Sequence, residues 1–239
     1  LPFMVRPRFA STVVLVRPHE NGRFEVLLTR RPEEMRFLGG FYVFPGGAVH
    51  ASDYSSALLE RCRGVSGDRA QRILASRQEP DEALGHWIAV VRELFEEVGV
   101  LLCVNETGEA VELSDSPTVK RIERSRRAIV GGDLDFAAFL QAENFFCDLS
   151  KIMYFDHWVT PEIYSMRFDT RFYIAVLPAN QKPLIQSEEV THSLWIEADA
   201  ALARMDRRGF PILPPTTTVL QRLARLSTWD QLRAEFKLS

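Results

Sequence analysis

Apolar and polar positions follow two periods along this chain, and the predicted elements change where the period changes. Ser11-Thr-Val-Val-Leu-Val16 and Phe24-Glu-Val-Leu-Leu-Thr29 are short β-branched and aliphatic runs separated by the turn-rich Pro18-His-Glu-Asn-Gly22, and they predict a β-hairpin. Residues 41–44 predict a strand entering a Pro45-Gly46-Gly47 turn. Stretches 54–63 and 68–78 both have helical composition, with Gly64-Val-Ser-Gly67 between them, which predicts a helical hairpin. An amphipathic run then begins near Ala83 and stops at Gly99. Beyond it come a strand at 100–104, a turn at 105–109, and two helices over 117–142 parted by Gly131-Gly132. Strand patterns occupy 151–160 and 173–177, and a final strand ends at Ile196. Helices are expected at 198–207 and, after Pro211-Ile-Leu-Pro-Pro215, at 216–226.

The 83–99 run carries the chemistry. At about 100° per residue, Trp87, Val91, Leu94, Phe95 and Val98 form one apolar stripe, while Glu93, Glu96 and Glu97 gather on roughly the opposite side. Like charges three and four residues apart destabilise a helix by about 0.2–0.5 kcal/mol per pair, so a merely solvated face would interleave lysines. Only Arg92 stands close enough to help, with Glu96 in reach at i, i+4. Hard divalent cations such as Mg²⁺ favour carboxylate oxygens, and three acids on one rigid face predict a metal platform.

The nine residues Arg92-Glu93-Leu94-Phe95-Glu96-Glu97-Val98-Gly99-Val100 resemble the second half of the Nudix box, G-x5-E-x7-R-E-U-x-E-E-x-G-U with U apolar. Gly46 and Gly47 open its first half, and after five further residues Asp53 stands where most members carry glutamate. The pattern allows seven residues before the arginine, but here the chain runs from Asp53 to Arg92, so an insertion of approximately 54–84 splits the box. Loop closure cost grows slowly with length, which makes such an insertion tolerable. The resemblance implies an α/β Nudix fold over a single domain, 1–239: a mixed β-sheet in an α/β/α sandwich, with the inserted helical hairpin and the extra helices of 117–142. It further implies Mg²⁺ (or Mn²⁺) held by Glu93, Glu96, Glu97 and the Gly47 carbonyl, and Arg92 orienting a glutamate from behind. Asp53 would close the loop against the helix. The general base stays open among Glu96, Glu189 and Glu188, the last two in the acidic loop before the final strand.

Leu27-Leu28-Thr29, Arg31, Arg36, Gly39 and Phe44-Pro45-Gly46-Gly47 are similar to the extended signature of coenzyme A diphosphatases, with Pro32 in place of the usual serine and the usual histidine absent. The split box, Trp158-Val-Thr-Pro161 and Arg167-Phe-Asp-Thr-x-Phe172 resemble the peroxisomal subgroup of those enzymes in animals. This resemblance implies cleavage of coenzyme A or acyl-coenzyme A to 3′,5′-ADP and 4′-phosphopantetheine or its acyl form. Arg31 and Arg36 would capture the diphosphate or 3′-phosphate with guanidinium forks, or else be solvated loop arginines. Arg167 and Arg171 are candidate phosphate contacts. The alternatives are an ADP-ribose- or NADH-type dinucleotide pyrophosphatase, since cleft walls select the leaving group, and a non-catalytic Nudix-fold nucleotide-binding module. His157 reads as a packed or exposed residue rather than a ligand, and the basic helix with Lys120, Arg121, Arg124, Arg126 and Arg127 as a solvated face or else a surface collecting a phosphorylated nucleotide.

Composition narrows the partners. The chain has 239 residues, 46% hydrophobic, with Lys+Arg 29 against Asp+Glu 32 and a net charge of −3. That balance indicates neither a nucleic-acid partner nor a membrane surface, so partners are inferred from local sites, where the resemblance implies a small nucleotide diphosphate ligand. Cys62, Cys103 and Cys147 lie far apart without metal-ligand spacing and suit a reducing cytoplasm. Neither a membrane-spanning run nor a secretory leader is legible, and a homodimer built on the insertion and terminal helices is compatible with the sequence.

Overall fold

The computed structural model describes residues 5–35, 39–113, 115–188, 190–205 and 209–238. Strands β1 (Arg8–Pro18) and β2 (Phe24–Arg30) form the predicted hairpin, pairing antiparallel near their turn with Val16 opposite Val26. Away from the turn they part: β2 takes on β3 (Tyr42–Val43), and β1 takes on β4 (Gly46–Ala48). The insertion contributes α1 (Ser56–Leu59), β5 (Cys62–Arg63) and α2 (Gly67–Leu74), then leads into α3 (Pro80–Val98). Next come β6 (Cys103–Val104), α4 (Ser116–Val130), α5 (Phe136–Ala142) and β7 (Phe146–Asp148). A second hairpin, β8 (Met153–Val159) and β9 (Phe168–Val176), places β9 parallel to β1. The chain closes with β10 (His192–Ile196) beside β2, then α6 (Ala198–Arg204), α7 (Pro214–Leu223) and α8 (Trp229–Phe236).

Among the described residues the main sheet runs β10-β2-β1-β9-β8, with β3 on β2 and β4 on β1, and is mixed because only β1 and β9 are parallel. Its central strands are apolar on both faces. Val13 and Leu15 of β1 and Tyr173 and Ala175 of β9 pack with α2, α3, α4 and α5. Val14 and Val16, with Phe172 and Ile174, pack against α6, α7 and α8. Successive residues of a strand point to opposite sides, so an uninterrupted apolar run specifies a sheet covered on both. The result is the expected α/β/α sandwich.

Helix α3 lies at its centre. Pro80 stands in the first turn with Asp81 and Glu82, where a missing N–H costs nothing and acids suit the helix dipole, and Gly99 ends the helix in a left-handed conformation (φ 72°). Trp87 is 1% exposed and donates its Nε1 hydrogen to the Ile152 carbonyl at 3.0 Å. The face opposite the apolar stripe is covered as well, with Glu93 and Glu97 only 7% and 8% exposed.

Several local expectations change. Of stretch 54–63 only Ser56–Leu59 is helical, because Cys62–Arg63 become a strand that pairs parallel with β7. The insertion is thus a helical turn, a strand and a helix, and Leu58, Ala70 and Leu74 from it are buried in the core rather than held out beside the site. Gly46 and Gly47, expected in a turn, pair with Thr12 and Ser11. From 100–104 only Cys103–Val104 are strand, and α8 was not anticipated. The three cysteines, remote in sequence, form one lateral row: Cys147 stands opposite Cys62 on one side and Cys103 on the other.

Candidate active site

The site begins where two glycines press on α3. Gly46 has φ 149° and a Cβ there would sit 2.6 Å from the Thr12 Cα, so only glycine fits. Its backbone N–H donates to Glu97 Oε2 at 3.1 Å. At Gly47 a Cβ would lie 2.5 Å from the Glu93 Cδ, inside the carboxylate. Strand β4 therefore brings bare backbone onto two of the three glutamates.

Arg92 organises the rest. Its Nε donates to Asp53 Oδ1 at 2.6 Å and its Nη2 to Asp53 Oδ2 at 3.0 Å, a two-pronged grip. Nη2 also donates to the Ala48 carbonyl at 3.0 Å, and Nη1 reaches Glu93 Oε1 at 2.8 Å and Glu96 Oε2 at 3.1 Å. A guanidinium has five N–H donors, and all are used. Asp53 is fully buried and accepts a further bond from the His50 N–H at 2.8 Å. Burial works against the charge of Arg92, but Asp53, Glu93 and Glu96 outweigh it and hold its pKa above the ordinary guanidinium range. Such a buried pair adds little net stability over an apolar packing, whereas removing one partner costs about 3–5 kcal/mol. Its return is orientation: Arg92 fixes the rotamers of Glu93 and Glu96 and ties the Asp53 turn to the helix.

Among the described residues no three acidic, histidine or cysteine side chains converge on one point as a formed coordination sphere. The donor set nevertheless fits a hard divalent cation. Glu93, Glu96 and Glu97 offer only oxygens from one helix, and Gly47, lacking a Cβ, lets the Glu93 carboxylate approach the β4 backbone.

The other sequence candidates are dispersed. Arg36 and Glu189 lie outside the described residues. Arg31 has a buried Nε with no hydrogen-bond partner among the described residues. Arg167 is turned to backbone, donating to the Thr160 carbonyl at 3.0 Å and the Val5 carbonyl at 2.9 Å. Arg171 is 7% exposed, 3.5 Å from Asp169, and stands opposite Ser11, which bonds His86 at 3.0 Å. The same Ser11 stands opposite Gly47 on the other side of β1, and the Arg171 Nε is buried without a hydrogen-bond partner among the described residues. His157 pairs with Asp169 at 2.6 Å. Burial, then the charge of Arg171, lowers the pKa of His86 to about 4.

Glu188 is held by a residue that the sequence reading left on a solvated face. Arg126 is 1% exposed; its Nη2 donates to Glu188 Oε2 at 2.8 Å and its Nη1 to the Glu96 carbonyl at 2.7 Å. Glu123 accepts from its Nε and Nη2. The signal was present in the spacing, for Arg126 shares the buried face of α4 with Ile122 and Ile129.

Comparison with known proteins agrees with this geometry. The profile described as NUDT19 Nudix domain matches residues 7–223. The chain is 27% identical to an acyl-coenzyme A diphosphatase NUDT19 of Xenopus laevis, over 87% of this chain and 62% of that protein. It is 26% identical to the protein of the same name in Gallus gallus, over 87% and 63%. The chain thus spans under two thirds of the length of these relatives. A NUDIX hydrolase from Alicyclobacillus acidocaldarius has the same fold, with a TM-score of 0.77 and 29% identity over 99% of this chain and 98% of that one. With a split box, an arginine-anchored set of glutamates and a family profile spanning most of its length, this chain belongs to the NUDT19 Nudix domain family.

Proposed function

We propose that the chain is a Mg²⁺- or Mn²⁺-dependent pyrophosphohydrolase that cleaves the diphosphate of coenzyme A or acyl-coenzyme A, releasing 3′,5′-ADP and 4′-phosphopantetheine or its acyl form. The observation that carries this reading is the Arg92 cluster, which holds Glu93 and Glu96 beside the bare backbone of Gly46 and Gly47. The substrate class is supported by relatives named acyl-coenzyme A diphosphatase.

In this reading Glu93, Glu96, Glu97 and the Gly47 carbonyl hold the cation. When bound, it withdraws charge from the phosphates and lowers the pKa of a coordinated water. The protein's own part is positional. Arg92 keeps the glutamates in register, and a carboxylate from Glu96 or the 188–189 loop takes the proton of the attacking water. Arg31, whose buried Nε lacks a partner among the described residues, is assigned to substrate phosphate, with Arg36 five residues further along the chain. Arg171 also has a buried Nε without a partner among the described residues and is a further candidate, whereas Arg167 would contact substrate only after giving up its backbone bonds.

The test is Mg²⁺-dependent hydrolysis of coenzyme A, an acyl-coenzyme A, ADP-ribose, NADH and a nucleoside triphosphate, with products weighed by mass spectrometry. Release of 3′,5′-ADP is expected, together with a loss of at least about 100-fold in Glu96→Gln, since even residues behind metal ligands cost 10–100-fold. Turnover confined to ADP-ribose or NADH would discard the coenzyme A assignment, and tight nucleotide binding without turnover would make the chain a binding module.

A further inference from the structure

Helix α4 belongs to the segment outside the Nudix pattern, yet its one buried arginine reaches into the site from behind. Arg126 spans three elements: Glu123 on its own helix, the Glu96 carbonyl in the last turn of α3, and Glu188 in the loop before β10. Its side chain meets Gly99, where a Cβ would lie 3.8 Å from the Arg126 Cδ and 3.3 Å from the Leu184 Cγ. The glycine that ends the Nudix motif thus leaves room for the arginine stem and the loop to pack on the helix end. A cation at a helix C-terminus is favoured by the exposed carbonyls.

The loop itself is tied at both ends. Leu184 N–H donates to the Val98 carbonyl at 2.9 Å, and Ser193 N–H to the Ile185 carbonyl at 2.7 Å. Between those ties, the Glu188 carboxylate is gripped by Arg126 at 2.8 Å.

We propose that Arg126 and Glu188 form a clamp: Arg126 is a positioning residue that locks the 184–190 loop to the helix end bearing Glu96 and Glu97, and Glu188 is the loop's anchor rather than the general base. The proposal rests on the pyrophosphohydrolase reading and removes Glu188 from its candidate bases. Glu188 Oε2 accepts from the Arg126 guanidinium at 2.8 Å, the same side chain that holds Glu123 and the Glu96 carbonyl, and that bond lowers the Glu188 pKa. The clamp also gives α4 a task, because it joins the added helix to the site that α3 carries.

The experiment compares Glu188→Gln, Glu188→Ala, Arg126→Lys, Arg126→Ala and the double alanine variant by kcat, KM and hydrogen exchange of the 184–190 amides. Glutamine still accepts a bond from Arg126, so Glu188→Gln should lose less than about 10-fold in kcat, whereas removing a general base costs about 10²–10⁴-fold. Arg126→Ala and Glu188→Ala should each lose about 10–100-fold in kcat with KM nearly constant, and the double variant no more than either. Loop amides should exchange faster in both alanine variants, with Arg126→Lys intermediate. A loss of about 10²-fold or more in Glu188→Gln would make Glu188 the base and overturn the proposal. So would additive losses in the double variant, or unchanged loop exchange in Arg126→Ala. A wild-type protein silent on every diphosphate would remove the parent reading, and loop exchange would still decide the clamp.

Discussion

Two buried residues of α3 show how differently burial acts on a titratable side chain. Arg92 keeps its charge because Asp53 and two glutamates surround it. His86 bonds the Ser11 hydroxyl, its Nε2 has no hydrogen-bond partner among the described residues, and burial together with the charge of Arg171 outweighs the pull of Asp169 and the Ala10 backbone and keeps it neutral. A pH dependence of stability follows. With a folded-state pKa of about 4 against an ordinary 6.5, the native state resists a proton that the unfolded chain accepts. The stabilisation is fully present above pH 6.5 and is lost as the pH falls from there to about 4, to a total of about 3 kcal/mol. Urea unfolding of the wild type and His86→Gln between pH 7.5 and 4.5 measures it; the variant should lose less stability on acidification, and parallel curves would refute the assignment.

The C-terminal half of α3 is stiffened from three directions: β4 lies on Glu93 and Glu97, the Asp53 turn grips Arg92, and Arg126 of α4 holds the Glu96 carbonyl. Two short glycine backbones replace the side chains that would otherwise separate strand from helix. Gly47→Ala should therefore drive the Glu93 carboxylate away from the position that Arg92 gives it. A displacement of about 1 Å at a catalytic group costs on the order of 10²-fold. We expect that loss in kcat, with weakened Mg²⁺ activation and a protein that still folds. Unaltered metal dependence in the variant would show that the close approach has no catalytic role.

At the scale of the whole molecule, the insertion is part of the core. Leu58 is 1% exposed and belongs to the same apolar cluster as Trp87, Phe95 and Leu140, and β5 joins β7 and β6 in a separate three-stranded sheet. Leu58→Ala should destabilise the protein by about 2–5 kcal/mol in chemical denaturation, as for other buried leucines. A change within about 0.5 kcal/mol, typical of surface positions, would return the insertion to an appendage. Among the described residues no helix is long and apolar enough to cross a membrane.

The sequence by itself determined the sandwich and the helix that bears the glutamates. The helix is written in local periodicity, its acids of the 92–100 motif lying within two turns, and the sandwich was implied by the resemblance that this motif carries; apolar runs through β1 and β9, covered on two faces, agree with it. The family was legible too, because nine contiguous residues match its motif. Tertiary structure decided whatever depends on residues far apart in the chain. The 54–63 stretch has helical composition, but pairing with β7 draws Cys62 and Arg63 into a strand, and the same register aligns three distant cysteines. Nothing local pairs Arg126 with Glu188, and nothing local brings Arg171 beside His86. A sequence pattern fixes which face of its own element a residue occupies; which other element meets that face is set by packing across the whole core.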